Sequence, residues 1–172
     1  MENIFIIDKF LDNKMLHELL NSIEIKKWKY GHSSGNNEII NNRFFANYEL
    51  EYSFVNFIKE RIENYFSKKY KINRNYMHIQ TFGQDGGYHI DDDNANAYTL
   101  CLYISDISDT NMENANGDFL IKIPNEKVII CIETFMNRCL FFPSNYRHKG
   151  MAYNCLFSNK RLCLTWKLDE IN

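Results

Sequence analysis

Residues 76–93, YMHIQTFGQDGGYHIDDD, decide how this chain is read. Before them, apolar residues recur every three and four positions. From YMHIQTF onward they come in short β-branched, aromatic and aliphatic runs broken by turn residues, so the segment marks a passage from helix to strand. Its second half puts His89 and Asp91 two residues apart, directly after a glycine-rich turn. It ends in three consecutive aspartates, Asp91, Asp92 and Asp93, whose like charges repel. A fold keeps such a run for a reason.

Working toward the C-terminus, AYTLCLYIS (97–105), DFLIKI (118–123), KVIICIE (127–133), RCLFFP (138–143) and RLCLTWKL (161–168) read as strands. GQDGG, NANGD, IPNE, PSNYRHKG and FSNK supply the turn chemistry between them. Toward the N-terminus, IFIID reads as a short strand. A helix capped by Asp12 or Asn13 then carries Met15, Leu16, Leu19, Leu20 and Ile23 on one face and ends near Trp28. GHSSGNNE (31–38) reads as a polar loop. A second helix spans 50–70, with Leu50, Phe54, Phe57, Ile58, Ile62 and Phe66 on its buried stripe. The expected class is α+β. One domain spans 1–172, with 1–75 as mainly helical support and 76–172 as an antiparallel jelly roll of two wrapped sheets.

At 172 residues the chain can bury roughly two-thirds of its unfolded surface. Apolar residues make up 45% and aromatics 15%, including 13 Phe and 11 Tyr, which fills a core. With 7 Gly and 2 Pro there is no compositional case for disorder or a repeat fibre. The net charge of −2 argues against a dedicated nucleic-acid binder, whose affinity needs a basic excess. Lys26, Lys27 and Lys29, like Lys68, Lys69 and Lys71, read as solvated helix ends. Cys101, Cys131, Cys139, Cys155 and Cys163 include no C-x-x-C pair and read as buried small hydrophobes in a reducing compartment. The opening MENIFIIDKF has too short an apolar run for a signal peptide, and no segment is long enough to span a membrane, so the expected location is the cytoplasm.

On an extended segment residues i and i+2 point the same way, so His89 and Asp91 can converge on one cation. A third ligand has four histidine candidates: His17 in the first helix, His32 in the polar loop, His78 on the strand before the turn, and His148 after RCLFFPSN. Two histidines and one carboxylate on a face suit non-haem Fe(II), with open positions left for substrate and oxygen.

Taken in order, these elements resemble the Fe(II)- and 2-oxoglutarate-dependent dioxygenases, particularly the prolyl 4-hydroxylase-like branch. The resemblance covers 78–168 and rests on H-x-D at His89 and Asp91, TLCLYIS, NGDFLI, NRCLFFPSNYRHKG and RLCLTWKL. In NGDFLI, Asn116 stands for the family's first glycine. The resemblance implies a double-stranded β-helix (jelly roll or cupin-like) core with N-terminal supporting helices. It also implies His89, Asp91 and His148 as Fe(II) ligands and catalytic residues. Arg161, 13 residues after His148, would hold the distal carboxylate of 2-oxoglutarate, with Lys160 and Lys167 as alternative cations. Tyr103 and Thr99, on one face of their strand, would complete the co-substrate site. Phe82 stands where the family often has tyrosine, so Gln80 or Tyr88 is the expected replacement.

By alternation Arg161, Cys163 and Thr165 share one face toward the interior, and the even-numbered residues pack into the hydrophobic layer. Asp92 is expected to be solvated or bonded to the turn, Asp93 to steady a ligand, and Arg147 to be solvated. The implied activity is hydroxylation of a C–H bond with O2, releasing succinate and CO2, with ascorbate as reductant. The implied substrate is a prolyl residue of a peptide or protein, or a small molecule. RLCLTWK echoes the R-x-N-x-T-F-R strand of alkylation-repair demethylases, but Cys163 replaces the Asn and Lys167 the last Arg. A catalytically silent metal- or ligand-binding jelly roll is the remaining alternative.

Overall fold

The computed structural model describes residues 3–24, 26–34, 43–105 and 114–171. Its elements run β1 (Phe5–Ile7), α1 (Asn13–Glu24), β2 (Lys29–His32), β3 (Phe44–Asn47), α2 (Tyr52–Phe66), β4 (Lys69–Gln80) and β5 (Ala97–Tyr103). They continue with β6 (Phe119–Lys122), β7 (Ile129–Ile132), β8 (Arg138–Pro143), β9 (His148–Gly150) and β10 (Arg161–Ile171). Among the described residues these strands form two antiparallel sheets. One has seven strands in the order β1-β8-β5-β10-β4-β3-β2, and the other has three in the order β7-β6-β9. Neighbours that are far apart in sequence, such as β10 between β5 and β4, give the wrapped connectivity expected of a jelly roll.

Burial explains the layers. The even-numbered residues of β10, Leu164, Trp166 and Leu168, face the helices and pack with Leu19, Ile23, Val55, Ile58 and Ile62. Each fully buried aliphatic or aromatic side chain here contributes roughly 1.5–3 kcal/mol of transfer free energy. The other face of the large sheet meets the small one through Cys101, Tyr103, Leu140, Phe142 and Cys163 against Phe119, Ile121 and Ile132. Helices therefore support the outside of the large sheet, while the space between the sheets is left for a site.

The helix starts and stops have local causes. Asp12 Oδ1 accepts the Met15 N–H at 2.9 Å and caps α1. That helix ends at Glu24, short of Trp28. α2 ends at Phe66, because Ser67 takes a left-handed conformation (φ 54°). The chain then turns into β4 at Lys69, earlier than the expected strand start at 76. The stretch Lys69-Tyr70-Lys71-Ile72 has the two-residue period of a strand, and it buries Tyr70. Of the lysines read as helix ends, Lys68 lies in the turn between α2 and β4 and pairs with Glu170 at 2.7 Å. Lys69 and Lys71 belong to β4, Lys69 pairing with the buried Glu63 at 3.0 Å, and Lys29 opens β2. Gly31 and His32, expected in a loop, belong to β2. The rest of that loop from 35 lies outside the described residues. Three cysteines are buried as expected, but Cys131 and Cys155 are exposed; all five are free thiols.

Asn137 joins the front of the chain to the sheet. Its side chain accepts the Leu11 N–H and donates to the Leu11 C=O, both at 2.7 Å, and its backbone is left-handed (φ 63°). Asn137→Ala would leave both Leu11 groups buried without partners and add a backbone penalty. We expect a loss of about 2–5 kcal/mol in chemical denaturation; a loss under about 0.5 kcal/mol would contradict this role.

Candidate metal centre

The centre is assembled by short backbone pairings. His89 and His148 form an isolated antiparallel bridge, with His89 N–H donating to His148 C=O at 3.0 Å and His148 N–H to His89 C=O at 2.9 Å. His148 thus opens strand β9; it is not in a loop. Gly86 N–H donates to Gly150 C=O at 2.8 Å. A Cβ at Gly86 would lie 2.9 Å from Ser34 Oγ and 3.1 Å from Gly150 O, so glycine lets this segment lie against β9. Asp91 N–H then donates to Ser144 C=O at 2.9 Å, which fixes the aspartate two residues beyond His89 on the same side.

One ligand atom from each of His89, Asp91 and His148 lies within 4.8 Å of the other two. His89 Nε2 is 3.3 Å from Asp91 Oδ1, and His148 Nε2 is 3.3 Å from Asp91 Oδ2. The opposite ring nitrogens are occupied: His89 Nδ1–H donates to Gly87 C=O at 2.9 Å and His148 Nδ1–H to Tyr146 C=O at 2.8 Å. Carbonyls only accept, so both tautomers leave an Nε2 lone pair facing the centre. Burial lowers the His148 pKa, with His89 and Lys167 adding to this against Asp91, so a neutral imidazole is favoured. For Asp91, burial opposes ionisation, but the Lys167 ammonium holds its carboxyl well below the usual range.

Asp91 Oδ2 accepts the Thr99 hydroxyl at 2.6 Å and forms an ion pair with Lys167. Thr99 also meets Ser144 Oγ at 2.9 Å. Thr99, expected at the co-substrate, therefore directs its hydroxyl to the aspartate. Its neighbour across the sheet is Lys167, through the register of β10 on β5.

Behind the triad lies a small inner cavity of about 40 Å³ whose lining includes Gln80, Tyr103, His148, Arg161, Cys163 and Thr165. Alternation along β10 places Arg161, Cys163 and Thr165 there, as read from the sequence, and carries Lys167 to the same face. Arg161 is 1% exposed; its Nε donates to Gly117 C=O at 2.7 Å and its Nη1 to Gln80 Oε1 at 2.6 Å. Gln80 is its cross-strand partner on β4. The guanidinium lies 4.9 Å from the Tyr103 ring and presses on Gly150, where a Cβ would come within 2.8 Å of Nη1. Among the described residues the Tyr103 hydroxyl is buried without a hydrogen-bond partner. A buried orphan donor costs roughly 1–3 kcal/mol, which a ligand acceptor entering the cavity would relieve. The donor set fits Fe(II), and Arg161 with the orphan Tyr103 hydroxyl fits a carboxylate.

The remaining expected residues divide clearly. Gln80 is in the cavity and orients Arg161, whereas Tyr88 lies under the ammonium groups of Lys122 and Lys149 at 4.4 and 5.1 Å. Phe82, Asp93, Arg147 and Lys160 are exposed. Asp92 accepts the Asn94 N–H at 2.9 Å and is solvated. His17 is exposed on α1 beside Asn21, while His32 and His78 border the inner cavity without joining the triad. Sequence reasoning missed Lys167 on Asp91, for which its place on the odd face of β10 was the available signal. It also missed Arg74, which falls between the helix read over 50–70 and the strand read from 76. Arg74 and Lys167 border an outer cleft of about 720 Å³ that reaches His89 and Asp91.

No protein-family model matches the chain, and no curated protein matches it in sequence. Solved structures do match in fold. A 2OG-Fe(II) oxygenase family oxidoreductase from Burkholderia pseudomallei superposes with a TM-score of 0.76 at 11% identity, over 99% of this chain and 86% of that one. A Trichoplax adhaerens prolyl hydroxylase, solved with a hypoxia inducible factor peptide, gives 0.69 at 16% identity, over 98% and 84%. The viral collagen prolyl hydroxylase of Paramecium Bursaria Chlorella virus-1, solved with 2OG, gives 0.65 at 16% identity, over 98% and 97%. With a His-Asp-His cluster between its two sheets, the chain has the double-stranded β-helix fold of the 2OG-Fe(II) oxygenases, prolyl hydroxylases among them.

Proposed function

We propose that the chain is an Fe(II)- and 2-oxoglutarate-dependent dioxygenase acting on a prolyl residue of a peptide or protein. The observation that carries this reading is the convergence of His89 Nε2, Asp91 and His148 Nε2 beside a buried arginine and an orphan tyrosine hydroxyl. When bound, Fe(II) with 2-oxoglutarate and O2 supplies hydroxylation of a C–H bond with release of succinate and CO2. The protein's part is positioning. Gly87 and Tyr146 carbonyls hold the two imidazoles, and Thr99 holds Asp91. Arg161 offers its remaining N–H groups to the distal carboxylate, and Tyr103 donates beside it. Apolar walls from Phe119 and Phe142 keep water from the reacting atoms. Ascorbate is proposed as reductant and the cytoplasm as location, a compartment in which free cysteines persist.

The substrate is tested with proline-containing peptides, Fe(II), ascorbate and 2-oxoglutarate, reading a mass gain of one oxygen. Hydroxylated peptide supports the reading. Succinate formation with no peptide modified would remove the prolyl assignment, and bound iron without any turnover would favour the silent jelly roll.

Thr99→Val removes the hydroxyl from Asp91 while keeping the strand volume. We expect metal affinity to fall about 10–100-fold, measured by isothermal titration, as for other partners that orient a ligand. Unchanged affinity would show that Lys167 and the backbone suffice to orient Asp91.

A further inference from the structure

We propose that Arg74 and Lys167 form a carboxylate subsite in the outer cleft, so that the substrate presents a carboxylate near the C–H bond it offers to the metal. The inference rests on the proposed function for its chemistry but on separate residues for its geometry. Lys167 on β10 and Arg74 on β4 are cross-strand partners. Both border the 720 Å³ cleft that His89 and Asp91 also line, so a ligand held there is beside the metal centre.

Arg74 is oriented but electrostatically unanswered. Its guanidinium sits 4.7 Å from the Tyr76 ring and 5.6 Å from the Tyr48 ring, and all three side chains line the cleft. Stacking on two rings fixes the planar fork without using its N–H donors. Among the described residues the Arg74 side chain has no ion pair and no hydrogen bond. Lys167 is tied to Asp91 on the inner side and contacts Thr99 Oγ1 at 3.4 Å, so its charge stands next to the metal centre. Surrounding groups agree with this field. His32, whose Nδ1 meets the Tyr48 hydroxyl at 2.8 Å, has its pKa lowered to about 4 by burial first, then by Arg74 and Lys167. A neutral His32 therefore leaves the two cations as the anion-binding groups of this wall.

Two acids also border the cleft. Asp92 is engaged with the Asn94 N–H. Asp169, two residues beyond Lys167, has Oδ1 buried without a hydrogen-bond partner and makes no ion pair with either cation among the described residues. Besides Asp91, the cleft is thus bordered by two cations and two acids. A carboxylate could come from an acidic side chain of a peptide or from the α-carboxylate of a free amino acid.

The test uses paired probes that differ only at the carboxylate. N-acetyl-Glu-Pro-amide is compared with N-acetyl-Gln-Pro-amide, and L-proline with L-prolinamide. Binding to the full chain loaded with Zn(II) is read by saturation-transfer NMR, in wild type and in Arg74→Gln. At least one acid should bind about tenfold more tightly than its amide, as expected for a charge-assisted pair. Arg74→Gln should erase the difference, with Arg74→Lys retaining part of it. The preferred pair tells side-chain from free-acid recognition. Equal binding of both acids and their amides, or a preference that survives Arg74→Gln, overturns the subsite. Because the readout is binding, an acid preference without any 2-oxoglutarate turnover would sink the enzymatic reading and leave the subsite standing.

Discussion

His148→Ala is expected to lower Fe(II) affinity by at least about 100-fold and to take succinate formation below detection. Removing a group that only orients a ligand commonly costs 10–100-fold, and His148 is proposed as the ligand itself. Two donors, His89 and Asp91, would remain, and the Tyr146 carbonyl would lose its partner. The ring is 4% exposed and packs 5.3 Å from Phe119 and 4.9 Å from Phe142, so truncation also opens a cavity. A thermal melt should accompany the titration, and His148→Gln, which keeps much of the volume, separates lost packing from lost ligation. Near-normal affinity in a folded variant would exclude His148 as a ligand.

Arg161→Lys should raise the KM for 2-oxoglutarate about 10–100-fold while leaving Fe(II) affinity unchanged. The substitution keeps a cation but loses the fork that bonds Gln80 and Gly117 while presenting further N–H groups to a ligand. The loss of one charge-assisted hydrogen bond, at roughly 1.5–3 kcal/mol, accounts for that range. Steady-state kinetics with varied 2-oxoglutarate checks it. An unchanged KM would move the anchor to another cation, with Lys167 the nearest to the metal centre.

The legible parts of this protein are those with local periodicity. The odd-numbered residues of β10 reach the inner cavity and the even-numbered ones reach the helices, as a two-residue period dictates. His89 and Asp91 share a face for the same reason. The start of β4 was hidden because Leu50 to Phe66 sets a helical period that Tyr70 and Ile72 can be made to extend. Only the left-handed Ser67 breaks it, and serine is not a strong signal for that conformation. Strand β3 is a four-residue run at the far side of the sheet, too short to announce itself. The Lys167–Asp91 pair spans 76 positions and depends on the register that sets Lys167 against Thr99, a tertiary property no local pattern encodes. Gln80 facing Arg161 is hidden for the same reason, since the pairing of β4 with β10 decides it.

The most direct measurement follows 2-oxoglutarate by proton NMR with wild-type protein, Fe(II), ascorbate and air, with and without a chelator. The account predicts conversion to succinate that stops when the metal is removed, slow without a substrate and faster with an accepted peptide. Two results would contradict it: 2-oxoglutarate left intact with iron bound and the peptide panel present, or conversion that continues at the same rate after chelation.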